Sequence, residues 1–502
     1  MYLLGIDIGT TALKTLLFDS NGNIIATASA EYQLVYPEIG WMECEVESYW
    51  KACRLTIREI LKKSRIVPQQ IRALSISCQG ETFVPVDRSI NPLRRAIVWP
   101  DRRSESECKL IESRFGSDEI YKVTGQNTVA TAWTATKILW LKRNEPNVHK
   151  KTYKYLLLKD YIIYKFTGIL VTDNTQADST LMQRLKGGWW NEMLNFVGVD
   201  EDQLPELKLA GEYVGCVTKE ASEETGLSTK TIVSVGAYDH AAAAVGAGNI
   251  VSGMVSECTG ASLGMVATID EIILDHHRRI ACHHHAVKNK YFLHPCSVGG
   301  IILKWFRDEF AQDERKFSEE HGLDVYDLLT LQASKIPAGS GGIIILPHFT
   351  GALSPEPEPK FKGAIFGLSL SHGKAHIIRA IMESIAFEIR RNLEVLEELG
   401  IKVGEVRSIG GGSRSSLWNQ IKSDVIQKPV TTLQTDEASC LGAAILAGVA
   451  GGMFNDIIEG CERMVKIKGK YEPFLQNRDV YDFSYKKYNS LFKNAKRLYR
   501  KW

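Results

Sequence analysis

Asp239 differs from the other carboxylates of this chain in its surroundings. It lies in GAYDHAAAAVGAG, Gly236 to Gly248, where most other residues are alanine, valine or glycine. Small residues let chain pack closely on chain, so the segment reads as buried. A carboxylate there has two readings, a helix N-cap or a base that accepts a proton in a closed site. Three glycine-rich turns elsewhere bear on the choice. DIGTTALKT, Asp7 to Thr15, ends an apolar run in a carboxylate and turns through Gly9, Thr10 and Thr11. Such a turn offers backbone N–H groups and hydroxyls to a phosphate, and Lys14 adds a charge. CTGAS, Cys258 to Ser262, offers the same donors from Thr259 and Gly260. SIGGGSRSSLWNQIKSDV, Ser408 to Val425, reads as a strand, three glycines including Gly411 and Gly412, and a helix starting near Ser413. Glycine permits close approach to a ligand, and a helix N-terminus favours negative charge. Each turn alone also reads as an ordinary connection. Together they point to a nucleotide, although the Walker pattern G-x-x-x-x-G-K-[ST] is absent.

The elements that must position these turns are visible. Leu3 to Ile8 and Lys14 to Phe18 are apolar runs of strand length, and Asn21-Gly22 is a two-residue hairpin signal. Val46 to Lys63 has the period of an amphipathic helix and stops before Pro68. Ile71 to Ser77 reads as a strand running into CQGET, and Thr134 to Asn144 as a helix ending at Pro146. From Val255, VSECTGASLGMVATIDE repeats the order strand, turn, strand. Placing Ala12 on Ala261 puts Thr10 on Thr259, an offset of 249 residues. The echo predicts two domains of related topology, joined near Gly246 to Gly253. His376 to Leu399 is a helix with one apolar stripe and Gly400 at its end. Glu437 to Ala450 is a small-residue helix that must be buried.

At 502 residues the chain exceeds one ordinary core. Apolar content of 44% and charged content of 24% are those of a globular protein. A net charge of only +2, with basic residues spread along the chain, argues against nucleic acid or an anionic membrane as partner. The N-terminal MYLLGIDIGT has no basic leader, and Asp7 interrupts its apolar run too early for a signal peptide. The longest later apolar run, Leu441 to Phe454, has fourteen residues, against about 20 for a membrane-spanning helix. Ten cysteines without a C-x-x-C pair fit free thiols in a reducing cytoplasm.

DIGTT, GAYDHAAAAVGAG and GGGSRSSLWNQIKSD, in that order, resemble the FGGY family of carbohydrate kinases. GAIFGLSLSHGKAHIIRAIME, Gly363 to Glu383, matches the family's C-terminal signature, and TATKILWLKRN, Thr134 to Asn144, is similar to its N-terminal one, with Ala132 departing from the first position. The resemblance runs roughly from Tyr2 to Gly452. It implies an α/β fold of two actin-like ATPase (ribonuclease H-like) domains with an interdomain cleft: 1–248, binding the sugar and carrying the first phosphate turn, and 249–502, binding the nucleotide. It also implies ATP and Mg²⁺ as cofactors. By position, Asp7 matches the metal-associated aspartate, which acts largely through water. Gly9, Thr10, Thr11 and Lys14 match the first phosphate turn, Thr259 and Gly260 the second, and Gly300, Gly411 and Gly412 glycines that border the nucleotide. Asp239 matches the catalytic base, and the N-terminal helix dipole is expected to keep it ionised. Cys258 departs from the family's usual glycine.

For the acceptor, CQGETFVPVD and AIVWPDRR are the informative stretches. Gln79, Glu81 and Asp101 offer hydrogen-bonding atoms and Trp99 a flat apolar face, the mixture that binds sugars and polyols. QGET resembles the glycerol-kinase pattern Gln-Arg-Glu-Thr, but Gly80 replaces the arginine, and His240 follows the base where that pattern has glutamine. The missing arginine is expected to open space for an acceptor larger than glycerol. The methionine–histidine pair of xylulose kinases is missing too. The expected acceptor is a pentulose such as xylulose. Polyols of the erythritol, pentitol or glycerol type are the alternative, and a non-catalytic actin/Hsp70-like ATP-binding regulator is the rival from another class. A homodimer is the one assembly entertained. DHHRRIACHHH, Asp275 to His285, matches no standard zinc spacing and reads as a histidine-rich surface strand.

Overall fold

The apolar runs at the N-terminus form two antiparallel strands, β1 (Tyr2–Ile8) and β2 (Ala12–Asp19), in the computed structural model, which describes residues 1–499. β3 (Ile24–Glu31) returns along β2. The hairpin between them has four loop residues rather than the two expected. Asp19 sets it, its carboxylate accepting the N–H groups of Asn21 and Asn23 at 2.8 and 3.0 Å. Helix α1 (Val46–Ser64) buries Tyr49, Trp50, Cys53, Thr56, Ile57 and Ile60, one face at helical spacing. Each such apolar side chain contributes up to about 1.5–3 kcal/mol. The helix ends at Arg65 in the left-handed region, ahead of Pro68. β4 (Ile71–Cys78) then runs parallel to β1. Helix α2 (Thr134–Asn144) has the expected bounds. With β5 (Tyr213–Cys216) and β6 (Ile232–Ser234) the sheet order is β5-β6-β4-β1-β2-β3, and the short strand Ala237–Tyr238 also pairs with β4. Directly after it comes helix α3 (Asp239–Gly246).

A second sheet repeats the plan. β7 (Val255–Thr259) and β8 (Ser262–Ile269) are antiparallel, and β9 (Cys296–Val298) pairs with the start of β8. Helix α4 (Lys374–Glu398) covers the expected apolar stripe. β10 (Val406–Ile409) lies parallel to β7, β11 (Val430–Leu433) parallel to β10, and β12 (Ile467–Tyr471) closes the edge. The glycine loop after β10 makes a short 3₁₀ turn, Gly411–Arg414. Helix α5 therefore spans Ser416–Ile426, capped by Ser415, and not from Ser413 as expected. The echo also shifts slightly. Ile8 faces Leu13 across the first turn, whereas Thr259 faces Leu263 across the second. The second turn is one residue shorter, so Thr259 ends a strand and is not the counterpart of Thr10.

The chain divides into two compact units. One comprises 1–250, 270–292 and 437–466, the other 251–269, 293–436 and 467–499. Unlike the expected single boundary at 248/249, two later segments return to the first unit. The small-residue helix Ala438–Ala450 gives the physical reason. A Cβ on Gly246 would lie 1.9 Å from the Ala438 carbonyl oxygen, one on Gly442 1.8 Å from that of Ala242, and one on Gly5 2.0 Å from that of Cys440. Glycine is required at each of these helix and strand crossings. Among the described residues no helix is long and apolar enough to cross a membrane.

Candidate active site

In the first unit β1, β4 and Ala237–Tyr238 are parallel and end together, at Ile8, Cys78 and Tyr238. Asp7, Gln79 and Asp239 therefore emerge at one edge of the sheet. Asp7 lies in register with Ser77, whose hydroxyl donates to Asp7 Oδ1 at 2.7 Å. Burial pushes the Asp7 carboxyl up to about 7 against that hydrogen bond, and the negative charges of Asp239 and Glu437 add to the rise. Asp239 is the first residue of α3, with Tyr238 as its cap. Its Oδ1 accepts the His240 N–H at 2.7 Å. A third of the side chain (34%) meets solvent, yet the surrounding protein raises its carboxyl to about 7, the His240 N–H offsetting only part. This corrects the expected full ionisation, because desolvation outweighs the dipole of an eight-residue helix.

The first turn is held from below. Gly9 N–H closes on the Ala12 carbonyl at 3.0 Å, and the Tyr32 hydroxyl donates to the Gly9 carbonyl. Thr10 is half-buried and Thr11 exposed. Lys14, expected to meet phosphate, is instead bidentate on Glu437 at 2.7 and 2.9 Å.

The expected acceptor residues fare differently. Gln79 is 3% exposed, and neither its amide oxygen nor its nitrogen has a hydrogen-bond partner among the described residues. Its backbone carbonyl accepts from Gln176 at 2.9 Å. At Gly80 a Cβ would sit 2.8 Å from the Tyr238 ring and 3.1 Å from Ser179 Cβ. Tyr238 and Ser179 thus stand beside the position of the missing arginine, and the expected extra space is not there. Glu81 is buried with φ 55, its N–H on the Ser179 hydroxyl at 3.1 Å. Burial raises the Glu81 carboxyl and lowers the Lys137 ammonium, each partly offset by the other's charge. Lys137 donates to the Val98 and Trp99 carbonyls, both at 3.2 Å. Trp99 is 40% exposed and hangs its indole N–H on the Thr10 hydroxyl at 2.9 Å, joining its loop to the first turn. Asp101 is fully buried, with Arg103 on both oxygens at 2.8 Å and the Met42 N–H on Oδ2. Those bonds occupy its acceptors, so Asp101 braces the loop that carries Trp99. Burial lowers His240 to about 4, leaving a neutral imidazole beside Asp239.

In the second unit Thr259 is buried and its hydroxyl donates to Glu257 at 2.6 Å. Glu257 also takes the Lys422 ammonium at 2.6 Å and the Ser408 hydroxyl. The Thr259 O–H is committed inward, so what this turn offers a phosphate is backbone. A Cβ on Gly412 would lie 2.7 Å from Thr259 Cβ, and one on Gly410 2.9 Å from Cys258 Sγ, whereas Gly411 faces open space. Gly300 N–H donates to the Gly260 carbonyl at 2.7 Å, tying both to one loop pair. The Cys258 thiol lies over Gly410.

The histidine stretch is not a surface strand. His276 and His277 are exposed, but Ala281–His284 is covered on both faces. The His283 ring lies between those of Tyr238 and Phe292, with centroids 6.3 and 5.1 Å away. His284 pairs with Asp178 at 2.9 Å, and His285 reaches the Asn249 carbonyl at 3.0 Å. No cluster of three or more metal-ligating side chains occurs among the described residues.

Sequence reading missed the residues that aim the site. Tyr238 N–H donates to the Thr175 hydroxyl at 2.9 Å, and Thr175 is fixed by Asp173, itself paired with buried Lys159. A polar run without period, TDNTQADST, was the available signal.

Comparison with known proteins agrees with this geometry. The profile of the FGGY family of carbohydrate kinases, N-terminal domain, matches residues 2–246, and that of the C-terminal domain residues 275–451. A xylulose kinase of Bacillus subtilis (strain 168) is 30% identical over 499 residues, 99% of this chain and 98% of that protein. A gluconokinase of the same strain is 32% identical over 484 residues, 96% and 93% of the two. The crystal structure of xylulose kinase from Rhodospirillum rubrum has a TM-score of 0.89 at 27% identity, covering 100% of both chains. Two matched profiles, two sheets of one topology and a relative 30% identical over nearly the whole chain lead to one conclusion: this chain belongs to the FGGY family of carbohydrate kinases, phosphotransferases with two actin-like ATPase domains.

Proposed function

We propose that the enzyme phosphorylates a terminal hydroxyl of a small neutral sugar, a pentulose such as xylulose, with Asp239 as base. The observation that carries the acceptor reading is Gln79. A buried amide left unpaired costs about 1–3 kcal/mol, and ligand hydroxyls would satisfy both its ends. Asp239 would take the proton of the attacking hydroxyl, and neutral His240 would border it without competing for that proton. Trp99 would supply the apolar face. Kinases of this family use ATP, which supplies the phosphoryl group, while Mg²⁺ would neutralise its charge. The residues present fit both groups. In the first unit the turn at Thr10 and Thr11, and in the second the turn at Gly411 and Gly412, would offer backbone N–H groups to a phosphate, while Gly260 and Gly300, whose N–H groups close on the Ser262 and Gly260 carbonyls, would border the nucleotide. Asp7, repelled by Asp239 and Glu437, is a carboxylate whose field a divalent cation relieves, with water completing its shell. Ten cysteines without a disulfide support a cytoplasmic setting.

The gluconokinase relative favours a second reading, a sugar acid. Asp239 and Glu81 repel each other, and an acceptor carboxylate would add to that repulsion, so the neutral ketose is preferred. ADP release would be measured with pentuloses, pentitols, erythritol, glycerol and gluconate. A pentulose should give the highest kcat/KM. Preference for gluconate or glycerol, or no stimulation by any of them, would overturn the assignment.

A further inference from the structure

One thiol of the second unit is held by a histidine of fixed tautomer. His294 is 8% exposed, and its Nδ1 lies 2.7 Å from the Met265 carbonyl oxygen. A carbonyl only accepts, so the ring proton is on Nδ1 and Nε2 carries a lone pair. Cys296 Sγ lies 3.2 Å from that Nε2. The thiol therefore faces a base placed to receive its proton, the arrangement that converts a thiol into a nucleophile. Cys296 is partly exposed, whereas six of the ten cysteines are buried.

We propose that Cys296 is a redox-modification site that exchanges with low-molecular-weight disulfides. Cys296 gives its proton to His294 Nε2, and its sulfur attacks one sulfur of the disulfide. A mixed disulfide forms, the old S–S bond breaks, and the departing thiolate takes the proton from His294. The disulfide is the only oxidant required. The position of the thiol also gives the adduct a consequence, which rests on the nucleotide role proposed for Gly300. β9 begins at Cys296 and leads directly into Gly299 and Gly300. A Cβ on Gly299 would lie 2.3 Å from the Ser262 backbone, so this loop has no slack. A tripeptide-sized adduct at the first residue of β9 disturbs it and raises KM for ATP.

The test is competition within the protein itself. Native protein would be treated with limiting oxidised glutathione at pH 7 and the adducts located by peptide mass spectrometry. Cys296 should react at least about tenfold faster than Cys216, the exposed cysteine, and the two should become equal in denaturant. His294→Gln should abolish the advantage. If Cys216 reacts first in the native protein, or the advantage persists in denaturant, the proposal fails without reference to kinase activity. The glutathione adduct should raise KM for ATP several-fold, reversibly with dithiothreitol, and Cys296→Ser should be resistant. An unchanged KM in the adduct would overturn the link to the nucleotide loop.

Discussion

A base must be ionised to act, and the protein raises Asp239, the base proposed above, to about 7. kcat/KM should therefore fall about tenfold per pH unit below pH 7, with a plateau above it. Asp239→Asn should lose about 10²–10⁴-fold in transfer, while a nucleotide-binding assay shows ATP affinity retained. Transfer within tenfold of the parent would remove Asp239 from this role. The same residue burdens the fold. Its carboxyl is raised in the folded state above its unfolded value of 3.8, so ionisation costs stability. That cost is absent below about pH 4, grows between pH 4 and 7, and is complete above 7. Asp239→Asn should thus melt a few degrees above the parent at pH 8 and level with it near pH 4. The partly exposed side chain keeps the gain small. A lower Tm for the variant at pH 8 would contradict the burial argument.

At the level of elements, the site depends on helices that touch backbone to backbone. Gly442→Ala places a methyl group 1.8 Å from the carbonyl of Ala242, in the helix that begins with Asp239. We expect a loss of about 1–3 kcal/mol in denaturant titration, together with reduced kcat, because α3 must shift. Unchanged kcat with reduced stability would show that Asp239 is fixed by Thr175 and Tyr238 alone. Elements of this kind were legible in sequence. The bounds of α1 and α2 followed from period and flanking prolines, and the small-residue helices from composition. Side-chain commitments were not. Asp101 reads as a sugar ligand until Arg103 occupies it, Lys14 as a phosphate ligand until Glu437 arrives from 423 residues away. Thr259 and Thr10 look equivalent until a turn shorter by one residue points the former inward. Alternation separates the faces of Ala281–His284 but says nothing of what covers them, which is why His283 and His285 came as buried residues.

For the whole molecule, three separate stretches build the first unit, and its closest packing joins residues 5 and 246 to the helix at 438–450. A fragment of residues 1–250 should therefore lack a cooperative thermal transition, although the N-terminal profile ends at 246. Adding residues 437–466 as a separate peptide should restore it in part. A sharply melting 1–250 fragment would show that the returning helix is dispensable. The order of synthesis gives this layout a further meaning. Domains commonly fold as the ribosome releases them, N-terminal first. Here the first unit waits for residue 466 and the second for its edge strand at 467–471. Neither is complete before residues 437–471 have been made. Until then β1, β4 and α3 carry an apolar face with no cover. A nascent chain of this design needs shielding from the release of β1 until the helix at 438–450 arrives.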